Sequence, residues 1–96
     1  MINNMNEQLS QLLISELKKW ETMFPGIILS YAYDKGTNFH IVEVAPETIR
    51  RGNEEYKKAE LNFWMKCFSE FPCDNILISE PSEISDMSNI LYTNKH

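Results

Sequence analysis

Apolar residues recur at three- and four-residue intervals along the first quarter of the chain. The positions are Leu9, Leu12, Leu13, Leu17, Trp20 and Phe24. This spacing predicts an amphipathic helix from about Asn6 to Met23. Proline disfavours helix in the residue before it and cannot continue a helix, so Pro25 should end this one.

The pattern then changes to a period of two. Bulky and small side chains alternate from Ile27 to Tyr33, which predicts a strand with two different faces. Residues 34–38 carry Asp, Gly and Asn in a typical turn composition. A second strand is predicted from Phe39 to Ala45, ended by Pro46. Two strands separated by so short a turn favour an antiparallel hairpin.

A second helical pattern begins at Asn53, a favourable N-cap residue. Its apolar positions are Tyr56, Leu61, Phe63, Trp64, Cys67, Phe68 and Phe71. They cover a helix face about 160° wide, and we interpret them as core residues. Pro72 ends the helix, and a third strand is predicted from Asn75 to Ser79. The succession of helix, Phe-Pro and strand thus occurs twice, through duplication or by chance.

The element order α-β-β-α-β predicts an α+β fold, a two-layer sandwich with a three-stranded mixed sheet and both helices on one face. If the second and third strands are neighbours, the helix between them makes the pair parallel and right-handed. The sequence leaves the strand order otherwise open. We expect one small domain over residues 1–96, with residues 80–96 as a partly ordered tail.

The segment from Phe71 to Glu80 reads Phe-Pro-Cys-Asp-Asn-Ile-Leu-Ile-Ser-Glu. It resembles segments of small bacterial proteins of unassigned function that share Phe-Pro, a short spacer, Ile-Leu, an apolar residue and Ser-Glu. The resemblance covers about ten residues and implies a strand here. It implies no activity, cofactor or catalytic residue.

The charge distribution argues against several classes of partner. The chain has 96 residues and a formal net charge of -5. Residues 67–96 alone carry one basic and five acidic groups, so nucleic-acid binding is not expected. Two cysteines are too few for a disulfide scaffold. The sequence predicts no signal peptide and no membrane span, hence a cytoplasmic protein.

Two residues could carry acid–base chemistry. Glu60 falls near the middle of the second helix's apolar face, where an unpaired carboxylate is costly. His40 shares strand parity with Val42 and Val44, so it could point toward the same helix. A His40–Glu60 pair is therefore one hypothesis. In the alternative, Glu60 reaches water or a tyrosine hydroxyl and its role is structural. No catalytic, phosphate-binding or metal-binding motif is present, and no cofactor or metal is expected.

The face of the sheet turned away from the helices suggests a binding surface. Five residues define this sheet-face set, namely Ile28, Ser30, Ala32, Ile41 and Glu43. Either the C-terminal tail or another chain should cover it, because open sheets are usually covered or paired. We predict a non-enzymatic binding or regulatory module that forms a homodimer or binds another protein. One variant is an inhibitor whose acidic C-terminal third covers a basic site. The alternative is a small-ligand domain or minor enzyme using a His40/Glu60 pocket.

Overall fold

The computed structural model describes residues 5–95. Over this range the elements are α1 (Glu7–Met23), β1 (Ile28–Asp34), β2 (Phe39–Ala45), α2 (Glu47–Arg50), α3 (Glu54–Glu70), β3 (Asn75–Ser79) and β4 (Ile90–Thr93). The expectation of no signal peptide falls partly on residues 1–4, outside the described part.

Both long helices begin and end where the sequence predicts. The side chain of Asn6 accepts a hydrogen bond from the Leu9 amide at 3.1 Å. Asn53 does the same for the Tyr56 amide at 3.0 Å. Such caps satisfy amides that have no partner within the helix. α1 and α3 stop just before Phe24 and Phe71, the residues that precede the two prolines.

Within residues 5–95 the sheet has four strands in the order β3-β2-β1-β4. β1 and β2 form the predicted antiparallel hairpin, with Tyr31 opposite Val42. β2 and β3 pair in parallel, with His40 opposite Ile76. The α+β class is confirmed, but the three-stranded sheet is wrong, because β4 pairs antiparallel with β1 on its other side.

Side-chain hydrogen bonds from residues at the end of β4 hold this short strand against β1. The Asn94 side chain accepts from the Leu29 amide at 2.7 Å and donates to the Ile27 carbonyl at 2.9 Å. Thr93 Oγ1 donates to the Leu29 carbonyl at 2.8 Å. Four residues of strand surrounded by polar residues give a weak periodic signal, which explains why the pattern did not predict it.

An aromatic cluster joins the two long helices. The Trp20 ring meets Tyr56 edge-on at 5.1 Å and Phe63 at 5.9 Å. Alternate strand residues complete the same core, among them Leu29 and Val42. α3 thus contributes only part of its apolar face to the core.

The connection between β3 and β4 crosses the sheet. These strands are its two opposite edges, so residues 80–89, the crossing segment, must pass from one side to the other. The Ser82 amide donates to the Glu43 carboxylate at 3.1 Å. Near the hairpin turn, Ile84 lines one cavity with Ile41 and Leu77. The segment therefore covers part of the sheet face that bears Glu43 and Ile41.

Candidate functional site

The largest group of exposed apolar side chains in the described chain lies along α3. Four side chains keep about half of their surface in solvent, namely Leu61 (59%), Trp64 (43%), Met65 (55%) and Phe68 (61%). We call them the α3 stripe. Their spacing of three, four and seven residues places them on one side of the helix. Tyr56, Phe63 and Cys67 face the core instead.

This arrangement corrects the sequence interpretation of α3. Leu61, Trp64 and Phe68 are not core residues, whereas Phe63 and Cys67 are buried as expected. Burial raises the pKa of the Cys67 thiol to about 12, which leaves it protonated and unreactive. The sequence did contain a sign of this exposure. The apolar face of α3 is about 160° wide, which is more than the roughly 100° that a helix needs to pack against a single core.

Two rings of the α3 stripe stack on each other beside the sheet. The Trp64 and Phe68 ring centroids lie 5.3 Å apart with an interplanar angle of 7°. Both rings line a cavity of about 190 Å³ that Phe71, Asp74 and Ile76 also line. The α3 stripe therefore meets the start of β3 at this cavity.

β3 presents an open edge next to these rings. Its inner side pairs with β2, and no strand among residues 5–95 pairs with its outer side. The sequence of the strand, Asn-Ile-Leu-Ile-Ser, contains neither charge nor proline. Those are the features that usually protect an edge from pairing with another chain. We call the α3 stripe and the outer edge of β3 together the α3–β3 face.

An ionic cluster stands at one end of this face. Arg50 donates to Glu60 through Nη2 at 3.1 Å and to Glu80 through Nη1 at 2.9 Å. It also donates to the Ile78 carbonyl at 3.0 Å. Arg51 donates to both Glu80 oxygens at 2.8 Å. The cluster ties α2 to α3, to β3 and to the first residue of the crossing segment.

Beside the cluster is a cavity of about 430 Å³, which we call the cationic cavity. Its lining residues are Arg50, Arg51, Lys57, Glu60, Leu61 and Trp64. The Tyr56 hydroxyl donates to Glu60 at 2.6 Å. Burial and the Glu60 carboxylate raise the pKa of Tyr56, so its proton stays in this bond. Burial lowers the pKa of Arg50, but the Glu80 and Glu60 carboxylates outweigh it and raise that pKa.

His40 lies in a different environment. Its Nδ1 is 2.7 Å from the Tyr31 hydroxyl, and its ring meets Tyr33 edge-on at 5.0 Å. Within the described chain, His40 Nε2 is buried without a hydrogen-bond partner. Burial lowers the pKa of His40, an effect that the Asp74 carboxylate partly opposes. Burial also raises the pKa of Tyr31 to about 12. At neutral pH both groups are therefore uncharged.

The structure does not bring the two candidate acid–base residues together as a pair. Glu60 bonds to Arg50 and Tyr56, while His40 bonds to Tyr31. The geometry agrees with the alternative in which a tyrosine hydroxyl satisfies Glu60. A catalytic role for either residue stays a prediction that the geometry does not test.

The sheet-face set is mostly covered by the chain itself. Ser30, Ala32, Ile41 and Glu43 are buried, and Ile28 is 41% exposed. Ser30 Oγ is 3.0 Å from Thr93 Oγ1 on β4, and Glu43 is held by the crossing segment. A partner could therefore reach Ile28 directly, and the others only after the covering residues moved. Partner binding at this face stays a prediction.

Comparison of the chain with protein-family models, curated proteins and solved structures gives no match. Over residues 5–95, no helix is long and apolar enough to cross a membrane. In the same range, no three His, Cys, Asp or Glu side chains converge as ligands for a metal ion. The functional conclusion rests on the geometry of the α3–β3 face.

Proposed function

We propose that this protein is a non-enzymatic protein-binding module whose contact surface is the α3–β3 face. One observation carries the proposal, namely four large exposed apolar side chains in a helical stripe beside a strand edge that pairs with no other strand among residues 5–95. Taking about 200 Å² for a whole aromatic side chain, Trp64 and Phe68 together expose about 200 Å². Leu61 and Met65 raise this to roughly 400 Å², within the range of the largest apolar patch on a typical monomer, which is often functional.

The rigidity of α3 supports the proposal. Tyr56 and Phe63 hold the opposite side of the helix against Trp20, and Asn53 caps its first turn. The α3 stripe is therefore formed before any partner arrives. A preformed surface loses little conformational entropy on binding, which favours affinity.

The proposal also assumes a layered arrangement. We take α1 and α3 to cover one face of the sheet and the crossing segment to cover the other. The Trp20–Tyr56 contact and the Ser82–Glu43 hydrogen bond favour this arrangement. In it, the surface left for a partner is the α3–β3 face rather than the sheet-face set.

Site-specific photocrosslinking tests the function. A benzophenone amino acid replaces Phe68, and the matched control carries it at Gln11, exposed on α1. Both proteins are irradiated in extract of the source cells and alone. We expect protein adducts from position 68 and not from position 11. No adduct at position 68, or equal adducts at both positions, would contradict the proposal.

A second candidate function is small-anion binding in the cationic cavity. Its lining includes Arg50, Arg51 and Lys57, with the Trp64 ring beside them. Because the carboxylates of Glu60, Glu80 and Glu54 already bind these cations, an anion would compete with them. Guanidinium groups suit carboxylate and phosphate ligands. This retains the small-ligand alternative at Glu60 without His40. Titration with citrate or inorganic phosphate should shift the Trp64 indole NMR signal, and Arg51→Gln should remove the shift.

A further inference from the structure

We propose that the partner on the α3–β3 face is a second copy of this chain, related by a two-fold axis that pairs the two β3 edges antiparallel. This inference rests on the proposed function and identifies its partner. The dimer would join two sheets across their β3 edges and bring the two α3 stripes together. The contact is self-complementary, as closed two-fold dimers require.

The midpoint of β3 and the midpoint of the α3 stripe lie at the same level along the strand direction. Ile76 lies beside Trp64 and Phe68, since all three line the same cavity. Ile78 lies beside Glu60, because Arg50 binds both. Leu77, the middle residue of β3, is therefore level with the α3 segment near Trp64. The stripe from Leu61 to Phe68 has its own midpoint between residues 64 and 65. A single axis can thus serve strand pairing and helix packing.

The spacing of helices on the sheet fits as well. Strands lie about 4.8 Å apart. In the layered arrangement taken above, α1 and α3 together cover four strands, so their axes lie about two strand spacings apart. Joining the β3 edges places the partner's α3 two further strands away, at about 10 Å. Packed helices are separated by about 8–10 Å. The two stripes would therefore meet without any rearrangement of the sheet.

The residue pairing across this axis is favourable. Antiparallel packing about residues 64 and 65 sets Leu61 against the partner's Phe68, and Trp64 against the partner's Met65. Lys57, which lines the cationic cavity, faces the end that bears the partner's Asp74. Pairing about Leu77 also sets Asp74 opposite the partner's Glu80, whose charge Arg50 and Arg51 neutralise. The apolar contacts, rather than the charges, therefore define the register.

The edge has to contribute about as much area as the α3 stripe. A standard interface buries about 800 Å² on each partner. The stripe supplies roughly 400 Å², so the inference requires the β3 edge and its flanking residues to bury a similar area. Backbone hydrogen bonds between the two β3 strands would add to the apolar contact.

The other edge of the sheet is less suited to pairing. β4 has four residues, and its pairing with β1 shifts register between Tyr31 and Ala32. Short and irregular strands are features that discourage edge-to-edge pairing. β3 has five residues in unbroken register with β2. This difference favours the β3 edge for the second copy.

Sedimentation velocity over a concentration series tests the inference. We expect a dimer for the wild type and a dissociation constant raised at least about tenfold by Phe68→Glu. The matched control is Met23→Glu, which removes another half-exposed apolar side chain, at the end of α1. It should leave the dimer intact. Circular dichroism melts check that both variants are folded, which their exposure predicts.

A crosslink tests the position of the axis. Met65→Cys in a Cys73→Ser background should give a covalent dimer with a short bis-maleimide, while Gln11→Cys in the same background should not. Cys67 is buried and its raised thiol pKa keeps it out of the reaction.

Each outcome separates the two proposals. A wild type that stays monomeric, or a dimer lost in Ile90→Glu at the β4 edge but kept in Phe68→Glu, overturns the two-fold inference. If position 68 still forms site-specific photoadducts with other proteins in that case, the protein-binding function stands. If it forms none, both proposals fail.

Discussion

The imidazole of His40 is almost completely buried, with Nδ1 near the Tyr31 hydroxyl and Nε2 unpartnered within the described chain. Glu60 is the opposite case, because Arg50 and Tyr56 both donate to its carboxylate. Both residues are unusual in the sequence for the same reason, because each places a polar side chain at a position that the pattern predicts to face the interior. Their neighbours give them different energetic roles.

His40 should make the stability of the fold sensitive to acid. Burial lowers its pKa in the folded protein, against about 6.5 when unfolded. The folded state therefore favours the neutral ring, and its stability is complete above about pH 6.5. As the pH falls below that value, the unfolded chain binds the proton first and stability is lost until the folded pKa is passed. Tyr31, Tyr33 and Asp74 face the ring, and only Asp74 opposes the loss.

Urea unfolding of the wild type and of His40→Gln at pH 7.5 and pH 5 measures this effect. We expect the wild type to lose more free energy of unfolding between the two pH values than the variant does. Equal losses would show that other groups account for the acid sensitivity.

Glu60 should contribute to stability and not only to surface charge. Glu60→Ala leaves the Arg50 guanidinium and the buried Tyr56 hydroxyl without this acceptor. We expect a loss of about 1–3 kcal/mol in the free energy of unfolding, measured by chemical denaturation. Glu55→Ala, exposed on the same helix, is the control and should change stability by less than about 0.5 kcal/mol. Similar values for the two variants would contradict the structural role.

At the scale of elements, the crossing segment covers part of one sheet face and so reduces the surface that a partner can reach. It begins at Glu80, which both Arg50 and Arg51 hold, and its Ser82 amide binds Glu43. Its last residue, Asn89, accepts from the Tyr33 amide and leads into β4. The sequence predicts a partly ordered tail over residues 80–96, and the contacts of Glu80, Ser82 and Asn89 anchor the crossing segment near its start and at its end.

A substitution at Ala32 tests how firmly the sheet face beneath the crossing segment is covered. It is fully buried and lies between Ile41 on β2 and Ile90 on β4. Ala32→Arg should therefore destabilise the fold by about 2–4 kcal/mol, rather than only disrupt a dimer. Ile28→Arg, partly exposed on the same strand, should cost much less. Thermal melts of the two variants check the difference, and an unchanged melting temperature for Ala32→Arg would mean that the cover opens easily.

At the scale of the whole molecule, the acidic charge and the apolar face have opposite effects on association. Two copies at a formal charge of -5 repel each other. Asp74 and Glu80 already bond to Asn6 and to the arginines. The arginines therefore neutralise Glu80 within the chain, whereas the neutral Asn6 amide leaves the charge of Asp74 available to a basic partner.

The salt dependence of self-association distinguishes these effects. Salt screens the repulsion between copies and leaves the apolar contact in place. We expect the dimer dissociation constant to stay constant or to fall as NaCl rises from about 0.05 to 0.5 M. Analytical ultracentrifugation at several salt concentrations measures it. A dissociation constant that rises with salt would indicate that opposite charges, not the α3 stripe, hold the copies together.

Local signals in the sequence determined the two long helices, the hairpin and β3. The Asn caps, the Phe-Pro stops and the periodicity act within a few residues, so they can be read without the fold. A parallel pairing of β2 and β3 was predicted only for the case in which they are neighbours, and the structure supplied that neighbourhood. The sequence also identified Glu60 as a residue that needs a partner.

Only the tertiary structure decided which partner each polar residue receives and which apolar residues stay exposed. Arg50 reaches Glu60 because α2 lies against α3, and β4 exists because Asn94 and Thr93 bind the start of β1. These contacts join residues far apart in the chain, and periodicity contains no information about them. The width of the α3 apolar face was visible in the sequence, but which part of it the core would cover was not. That choice, made by the position of Trp20, leaves Trp64 and Phe68 free for a partner.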